Sequence, residues 1–224
     1  MNRNVIIRLS RLSFAYSPTS QILADLSFDF DKGEFYLVRG VSGAGKSTLL
    51  RLINRLVEPT DGEILYLGKP LAEYQAPLLR KKILYIQQTP AVITGNVREN
   101  LLLPFVFRAN QDQHRPDDTA LLAMLESFHL QGVSLDQPVG NLSVGQLQRI
   151  CLIRGLLLNP EVILLDEPTS ALDDSSASVV ETKTETYCRK HQATIIMVSH
   201  RPFSPQYGKA RVITLAQGGI QEAQ

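Results

Sequence analysis

Gly40-Val41-Ser42-Gly43-Ala44-Gly45-Lys46-Ser47-Thr48 fits the pattern G-x-x-x-x-G-K-[ST]. The apolar run Phe35-Tyr36-Leu37-Val38 before it reads as a short buried strand. After it Leu49, Leu50, Leu52, Ile53 and Leu56 recur at helical spacing. Strand, glycine-rich loop and helix N-terminus in that order make a phosphate-binding loop. Glycines let the backbone wrap closely enough for several N–H groups to face phosphate oxygens, and the helix adds its positive end. Lys46 would reach the β- and γ-phosphates as a point charge, and Ser47 would give its hydroxyl to Mg²⁺. Gly40, Ser42, Gly43, Ala44, Gly45, Lys46, Ser47 and Thr48 are thus the candidate nucleotide contacts. A merely flexible glycine-rich turn would leave the flanking strand and helix unexplained.

Outward from the loop, strands alternate with helices. On the N-terminal side, Ile6 to Tyr16 reads as a half-exposed strand, and Leu26, Phe28 and Phe30 alternate with Ser27, Asp29 and Asp31. With a strand at Ile64 to Leu67, this suggests a small antiparallel sheet beside a parallel core. Ile83 to Ile86, Val162 to Leu165 and Thr194 to Val198 read as buried strands, and Asp174 to Lys190 as a helix. Between Gln88 and Leu158 the patterns are helical, at Val97 to Val106, Thr119 to Phe128 and Val144 to Leu157. The polar stretch from Asn110 to Asp118 reads as an exposed loop. Arg211 to Leu215, followed by Gly218-Gly219 and Ile220, reads as a terminal hairpin. The expectation is one α/β domain over residues 1–224, with a catalytic core in 1–87 and 159–224 and an inserted helical subdomain in 88–158.

Bulk properties narrow the function. A chain of 224 residues buries roughly 70 % of its unfolded surface, enough for a sizeable core. Lys and Arg number 23 against 22 Asp and Glu, so no basic field points to nucleic acid and no polybasic block to a lipid surface. Two cysteines, Cys151 and Cys188, with no C-x-x-C, disfavour a disulfide scaffold or zinc site and suit a reducing compartment. The residues after Cys151 read as a buried helix, which makes that thiol a small hydrophobe. Met1 to Arg8 lacks a sustained apolar core and no window reaches 18 apolar residues, so neither a signal peptide nor a membrane span is expected.

Val162-Ile163-Leu164-Leu165 runs into Asp166-Glu167, two carboxylates at the end of a buried strand. Near a phosphate loop, the first can hold Mg²⁺ through its water shell and the second can orient or deprotonate a water. The plainer reading is a helix N-terminus with favourable acidic residues.

With these residues in view, the chain resembles the ATP-binding subunits of ABC transporters over nearly its whole length. Leu142-Ser143-Val144-Gly145-Gln146, followed by Leu147-Gln148-Arg149, looks like the family's signature sequence. Ser170-Ala171-Leu172-Asp173 matches its D-loop, Tyr85-Ile86-Gln87-Gln88-Thr89-Pro90 its Q-loop, and Ser199-His200 its histidine switch. Tyr16, in Phe14-Ala15-Tyr16, matches the aromatic that stacks on adenine. Singly, a histidine after a strand is usually structural and a tyrosine near an N-terminus usually packs; the register of all the motifs favours function. Gln87 competes with Gln88 for the glutamine position, and the spacing to Pro90 favours Gln88.

The resemblance implies a P-loop ATPase fold with a mostly parallel core sheet, a small antiparallel β subdomain and an inserted helical subdomain. It further implies ATP and Mg²⁺ bound between two subunits meeting head to tail, one giving the phosphate loop and the other Ser143, Gly145 and Gln146. Glu167 would activate water, His200 would contact the γ-phosphate, Gln88 would join Ser47 and Asp166 at Mg²⁺, and Asp173 would sit at the dimer interface. A transmembrane permease, encoded separately, would be the other partner, with the chain peripheral on the cytoplasmic face of the membrane and no nucleic acid involved. The competing implication is a soluble ATPase of the same superfamily in DNA repair or translation, although this chain has neither a long coiled-coil insertion nor a second cassette. The family's usual signature has two adjacent glycines. Val144 replaces the first, and as a β-branched residue it resists positive φ; with Ser143 and Gly145 still supplying the γ-phosphate contacts, a working but slower site is expected. The apolar run Val97 to Phe107 falls where the family places the groove for the permease's coupling helix, with Phe105 or Phe107 as candidates. Gln88-Thr89-Pro90, Asn100 to Phe105 and the short C-terminus look like the bacterial iron-export type within the family.

Overall fold

A computed structural model describes residues 4–17, 19–201, 203, 205, 208–216 and 219–222. It contains two sheets. β1 (Val5–Ala15), β2 (Gln21–Asp31), β4 (Asp61–Tyr66) and β5 (Lys69–Pro70) form an antiparallel sheet in the order β2-β1-β4-β5. β3 (Phe35–Arg39), β6 (Ile83–Ile86), β7 (Val162–Asp166), β8 (Thr194–Val198), β9 (Arg211–Ala216) and β10 (Gly219–Glu222) form a second sheet in the order β10-β9-β3-β8-β7-β6. All neighbours in that sheet are parallel except the final pair, the terminal hairpin, in which Ala216 pairs with Gly219. Gly218, read as part of that turn, lies outside the described residues.

The central strands are apolar throughout because both of their faces are covered. Phe35, Leu37, Ile163, Leu165, Ile195 and Met197 point into one core, shared with the helices α3 (Val97–Leu102), α4 (Asp118–Ser127), α5 (Val144–Leu156) and α6 (Asp174–His191). Their neighbours Tyr36, Val38, Val162, Leu164, Ile196 and Val198 point into a second core, shared with the antiparallel sheet and α1 (Lys46–Ile53). Of these helices α5 packs on β6 and α6 on β8, while α3 and α4 pack on α5.

Several local expectations change. α1 stops at Ile53, and Leu56 lies beyond it, 47 % exposed. A short helix, α2 (Ala76–Lys82), precedes β6 where no helix is legible in the sequence; only Leu79 of its seven residues is buried, so it carries almost no apolar stripe. The helix expected over Val97 to Val106 ends at Leu102. Pro104 cannot donate a backbone hydrogen bond, and Leu103–Val106 tightens into a 3₁₀ turn. Asn110, expected on an exposed loop, is buried and its Nδ2 donates to Pro104 O at 2.8 Å.

Parallel strands end at one edge of their sheet, and chemistry gathers there. Register places Val38 beside Val198 and Asp166 beside Val198, with Ile86 beside Leu165. The segments that follow β3, β6, β7 and β8 consequently emerge side by side.

Candidate active site

The loop after β3 is built on glycine. Gly40, Gly43 and Gly45 have φ of 151°, 80° and 89°. A Cβ on Gly40 would stand 2.4 Å from Leu215 O, and one on Gly45 would stand 2.8 Å from both Ile22 Cγ2 and Leu23 Cδ2, so a side chain at either is excluded by space as well as by φ. Gly45 is the N-cap of α1 and offers no side chain to its first N–H groups. Lys46 is buried, and its Nζ donates to Gly40 O at 2.9 Å and Val41 O at 3.0 Å. Among the described residues no carboxylate pairs with that ammonium. A buried cation at a bare helix N-terminus is a site for an anion such as phosphate. At the other side of the loop the Tyr16 hydroxyl lies 3.3 Å from Thr48 Oγ1, while the ring, edge-on to Phe14, leaves the residue 59 % exposed. Ser42 and Gly43 are exposed on the loop's outer turn and Ala44 is half-buried.

Asp166 ends β7 almost completely buried. Its Oδ1 accepts from Ser47 Oγ at 2.8 Å and its Oδ2 from Tyr85 Oη at 2.9 Å. Burial chiefly pushes the Tyr85 phenol up, which keeps it a donor to the carboxylate. The adjoining oxygens of Ser47 and Asp166 are the hard donors that Mg²⁺ prefers, and that ion needs only one or two protein ligands; the Gln88 amide is turned to Glu167 and Ser170 instead. The residues present fit it.

Glu167 has φ of 49°, a left-handed conformation uncommon for a residue with a side chain, and its N–H donates to Val198 O at 3.1 Å. That turn sends Glu167 away from Asp166. Its Oε2 accepts from Gln88 Nε2 at 3.1 Å, and its Oε1 lies 3.3 Å from His200 Nε2. Gln88 Nε2 also donates to Ser170 Oγ at 3.3 Å, and Ser170 Oγ in turn donates to Glu167 O at 3.1 Å. Gln87 turns elsewhere, donating to Thr89 O at 3.0 Å. Tyr85 and Ser170 stand inside quoted motifs, yet the sequence did not mark them as partners of these carboxylates. The usable signal for Tyr85 was one hydroxyl in an otherwise apolar strand.

Ser143 caps α5 in a reciprocal pair with Gln146: Gln146 N donates to Ser143 Oγ at 3.2 Å, and Ser143 N to Gln146 Oε1 at 2.9 Å. Val144 is the first residue of α5, 52 % exposed, and is not among the residues with positive φ. The expected conflict between a β-branched side chain and positive φ therefore does not arise. At the next position a Cβ on Gly145 would stand 2.9 Å from Leu172 Cδ2, so the end of that side chain would have to shift. Arg149 holds the helix start in place through Gly145 O, Phe128 O and His129 O, and burial lowers its pKa. Asp173 caps α6, accepting from Ser176 N and Ser176 Oγ, both at 2.9 Å, and these bonds hold its carboxyl down at about 2.

Two groups result. Residues 40–48, 85, 88, 166, 167, 170 and 200, with Tyr16, gather at the sheet edge. The start of α5 stands apart: among the described residues no hydrogen bond joins 142–146 to the loop, the carboxylates or His200.

A family model described as "ABC transporter" matches residues 23–170. The chain is 37 % identical over 206 residues to the "Probable iron export ATP-binding protein FetA" of Escherichia coli (strain K12), covering 91 % of this chain and 89 % of that protein. Other curated relatives are longer, and the chain spans 17 % and 57 % of the length of two of them. Among solved structures it is similar to cbiO1 from Clostridium perfringens, part of the ABC transporter complex cbiONQ, with TM-score 0.81, 25 % identity, and 97 % and 87 % of the two chains covered. It is also similar to the ATP-binding cassette MJ0796, a dimer in a post-hydrolysis state bound to ADP and Pi, with TM-score 0.83, 26 % identity and 98 % of each chain covered.

Proposed function

We infer, for a chain that belongs to the ABC transporter family and is an ATPase, that it hydrolyses ATP between two copies of itself to drive a separately encoded membrane permease. The observation that carries this reading is the division of the site. Lys46, Ser47, Asp166, Gln88, Glu167 and His200 converge at one edge, whereas Ser143, Gly145 and Gln146 are exposed or half-exposed on a different element. A head-to-tail pair would bring the second group of one copy against the first group of the other. The dimeric relative with ADP and Pi supports that arrangement.

Within such a site, the loop amides and Lys46 would bind and orient the triphosphate, and Tyr16 would lie along the base. Ser47, Asp166 and Gln88 would hold Mg²⁺, which supplies charge neutralisation for the phosphates when bound. Glu167 would accept the proton of the attacking water, held to its task by Gln88 and by the turn at φ 49°. His200, one hydrogen-bond length from Glu167, would contact the γ-phosphate and fix the same water. Asp173 would meet the partner copy. Phosphoryl transfer through a loose transition state asks for positioning and charge, which these groups supply.

No helix among the described residues is long and apolar enough to cross a membrane, so a transport task would need a partner that does. We place the chain peripherally on the cytoplasmic face. Val106 and Phe107 are 69 % and 56 % exposed beyond α3, while Phe105 packs on the core, which supports Phe107 as the docking residue for the permease. Similarity to a probable iron export protein supports iron export as the task. Phosphate release by the chain alone, by its Glu167→Gln variant and by the chain with a candidate membrane subunit tests the reading: hydrolysis should need Glu167 and be raised by the membrane subunit, and a rate that no such subunit changes would contradict the transport role.

A further inference from the structure

The two groups of the site meet at Leu172. This residue lies between Ser170, which is bonded to Gln88 and Glu167, and Asp173, the cap of α6. Its N–H donates to Thr169 O at 3.2 Å. Its buried side chain packs over the start of α5, where a Cβ on Gly145 would stand 2.9 Å from Leu172 Cδ2. The loop through Leu172 thus reaches from the carboxylate side to residues 143–146 by an apolar contact.

A single guanidinium grips that loop. Arg201, the residue after His200, donates from Nη1 to Leu172 O at 3.2 Å and from Nη2 to Asp174 Oδ1 in the first turn of α6. Two turns further along the same helix stands half-buried Glu181, whose carboxyl is pushed up by burial and drawn back by the Arg201 charge. Asp174 is almost fully exposed, so the ion pair contributes little to stability. What the fork supplies is geometry: it holds the carbonyl before Asp173 and the carboxylate after it, and so fixes the cap between them. The turn at His200 uses a different part of Arg201, its backbone N–H, which donates to Ser199 Oγ at 3.1 Å.

We propose that Arg201 is a positioning residue for the half-site this chain offers to a second copy: through Leu172 and Asp174 it holds Asp173 and the Leu172–Gly145 contact, so that Asp173 and residues 143–146 meet the other copy as one surface. The proposal rests on the reading that two copies share each site. Although Arg201 adjoins His200 in sequence, its side chain makes its bonds at Leu172 and Asp174, so its loss is felt across the dimer rather than at its own γ-phosphate position.

The test is ATP hydrolysis by mixed variants of the full chain. Arg201→Ala alone should hydrolyse roughly tenfold more slowly than wild type, the scale of one charge-assisted hydrogen bond. Mixed with Lys46→Ala, whose start of α5 is sound, it should recover roughly a quarter of wild-type activity, because its own phosphate loop, carboxylates and His200 then meet an intact partner surface. Mixed with Gly145→Asp it should do no better than the mean of its components. Arg201→Lys keeps the charge without the fork and should show the same pattern with a smaller loss. Thermal melts identify a variant that fails to fold, and if Arg201→Ala does so, Arg201→Lys decides. Recovery with Gly145→Asp instead would assign Arg201 to its own His200 and overturn the proposal. Recovery with both partners, recovery with neither, or wild-type hydrolysis by Arg201→Ala would overturn it as well. The mixture of Lys46→Ala with Gly145→Asp separates the two levels: if it recovers, only the role of Arg201 has failed, and if it does not, the shared-site reading fails and takes this proposal with it.

Discussion

The Ser47 hydroxyl sits 2.8 Å from Asp166 Oδ1, so the first turn of α1 and the end of β7 meet across 119 positions of chain. Tyr85 closes the other side of the same carboxylate. Asp166→Asn keeps the shape and removes the charge; ATPase turnover should fall at least about 100-fold and respond only to raised Mg²⁺. Tyr85→Phe removes one orienting bond, and its loss should be roughly three- to tenfold. Steady-state phosphate release over a Mg²⁺ titration measures both.

Glu167→Gln should bind ATP and turn over roughly 10²- to 10⁴-fold more slowly, the usual worth of a general base. The variant should accumulate as an ATP-bound dimer in size-exclusion chromatography with light scattering. Hydrolysis at the wild-type rate would remove Glu167 from its assigned role.

At the start of α5 the two neighbouring positions should behave oppositely. Val144 takes an ordinary helical conformation in solvent, so Val144→Gly should change turnover less than about threefold and cost up to about 1 kcal/mol of helix stability. Gly145→Ala pushes a methyl against Leu172, which leads into the Asp173 cap, and should lower ATP-dependent dimerisation and turnover well beyond that. Urea melts and ATPase assays on the pair separate the two effects.

Both thiols should be inert in the folded protein. Burial pushes the Cys188 thiol up to about 11, and Cys151 upward as well. Because the fold favours the neutral thiol, its contribution is complete below the unfolded thiol's range near about 8.5 and is lost as pH rises through about 11. Iodoacetamide at pH 8 should label neither cysteine until denaturant is added, and melting temperature should decline with pH only on the alkaline side.

The parallel strands, the phosphate loop and the carboxylate pair were legible because each is short-range: an apolar run, then the residues that chemistry needs. What could not be read depended on distant partners or on weak local pattern. α2 buries one leucine and leaves no periodicity to detect. Asn110 looks like a loop residue until Pro104, six positions away, turns its carbonyl toward it. Tyr85 gains its place only when β6 pairs with β7, and the left-handed turn at Glu167 is visible only once Val198 O receives its N–H. Val144 misled for the reverse reason, since the residue type was read correctly but its φ was assumed.

The central claim is that each active site is assembled from two copies. The direct measurement mixes two inactive variants, Lys46→Ala, which keeps a sound start of α5, and Gly145→Asp, which keeps a sound phosphate loop. In a head-to-tail dimer each mixed pair regains one complete site, so an equimolar mixture should recover up to about a quarter of wild-type ATPase activity. A mixture no more active than its components would contradict a shared site and place all of the chemistry within one chain.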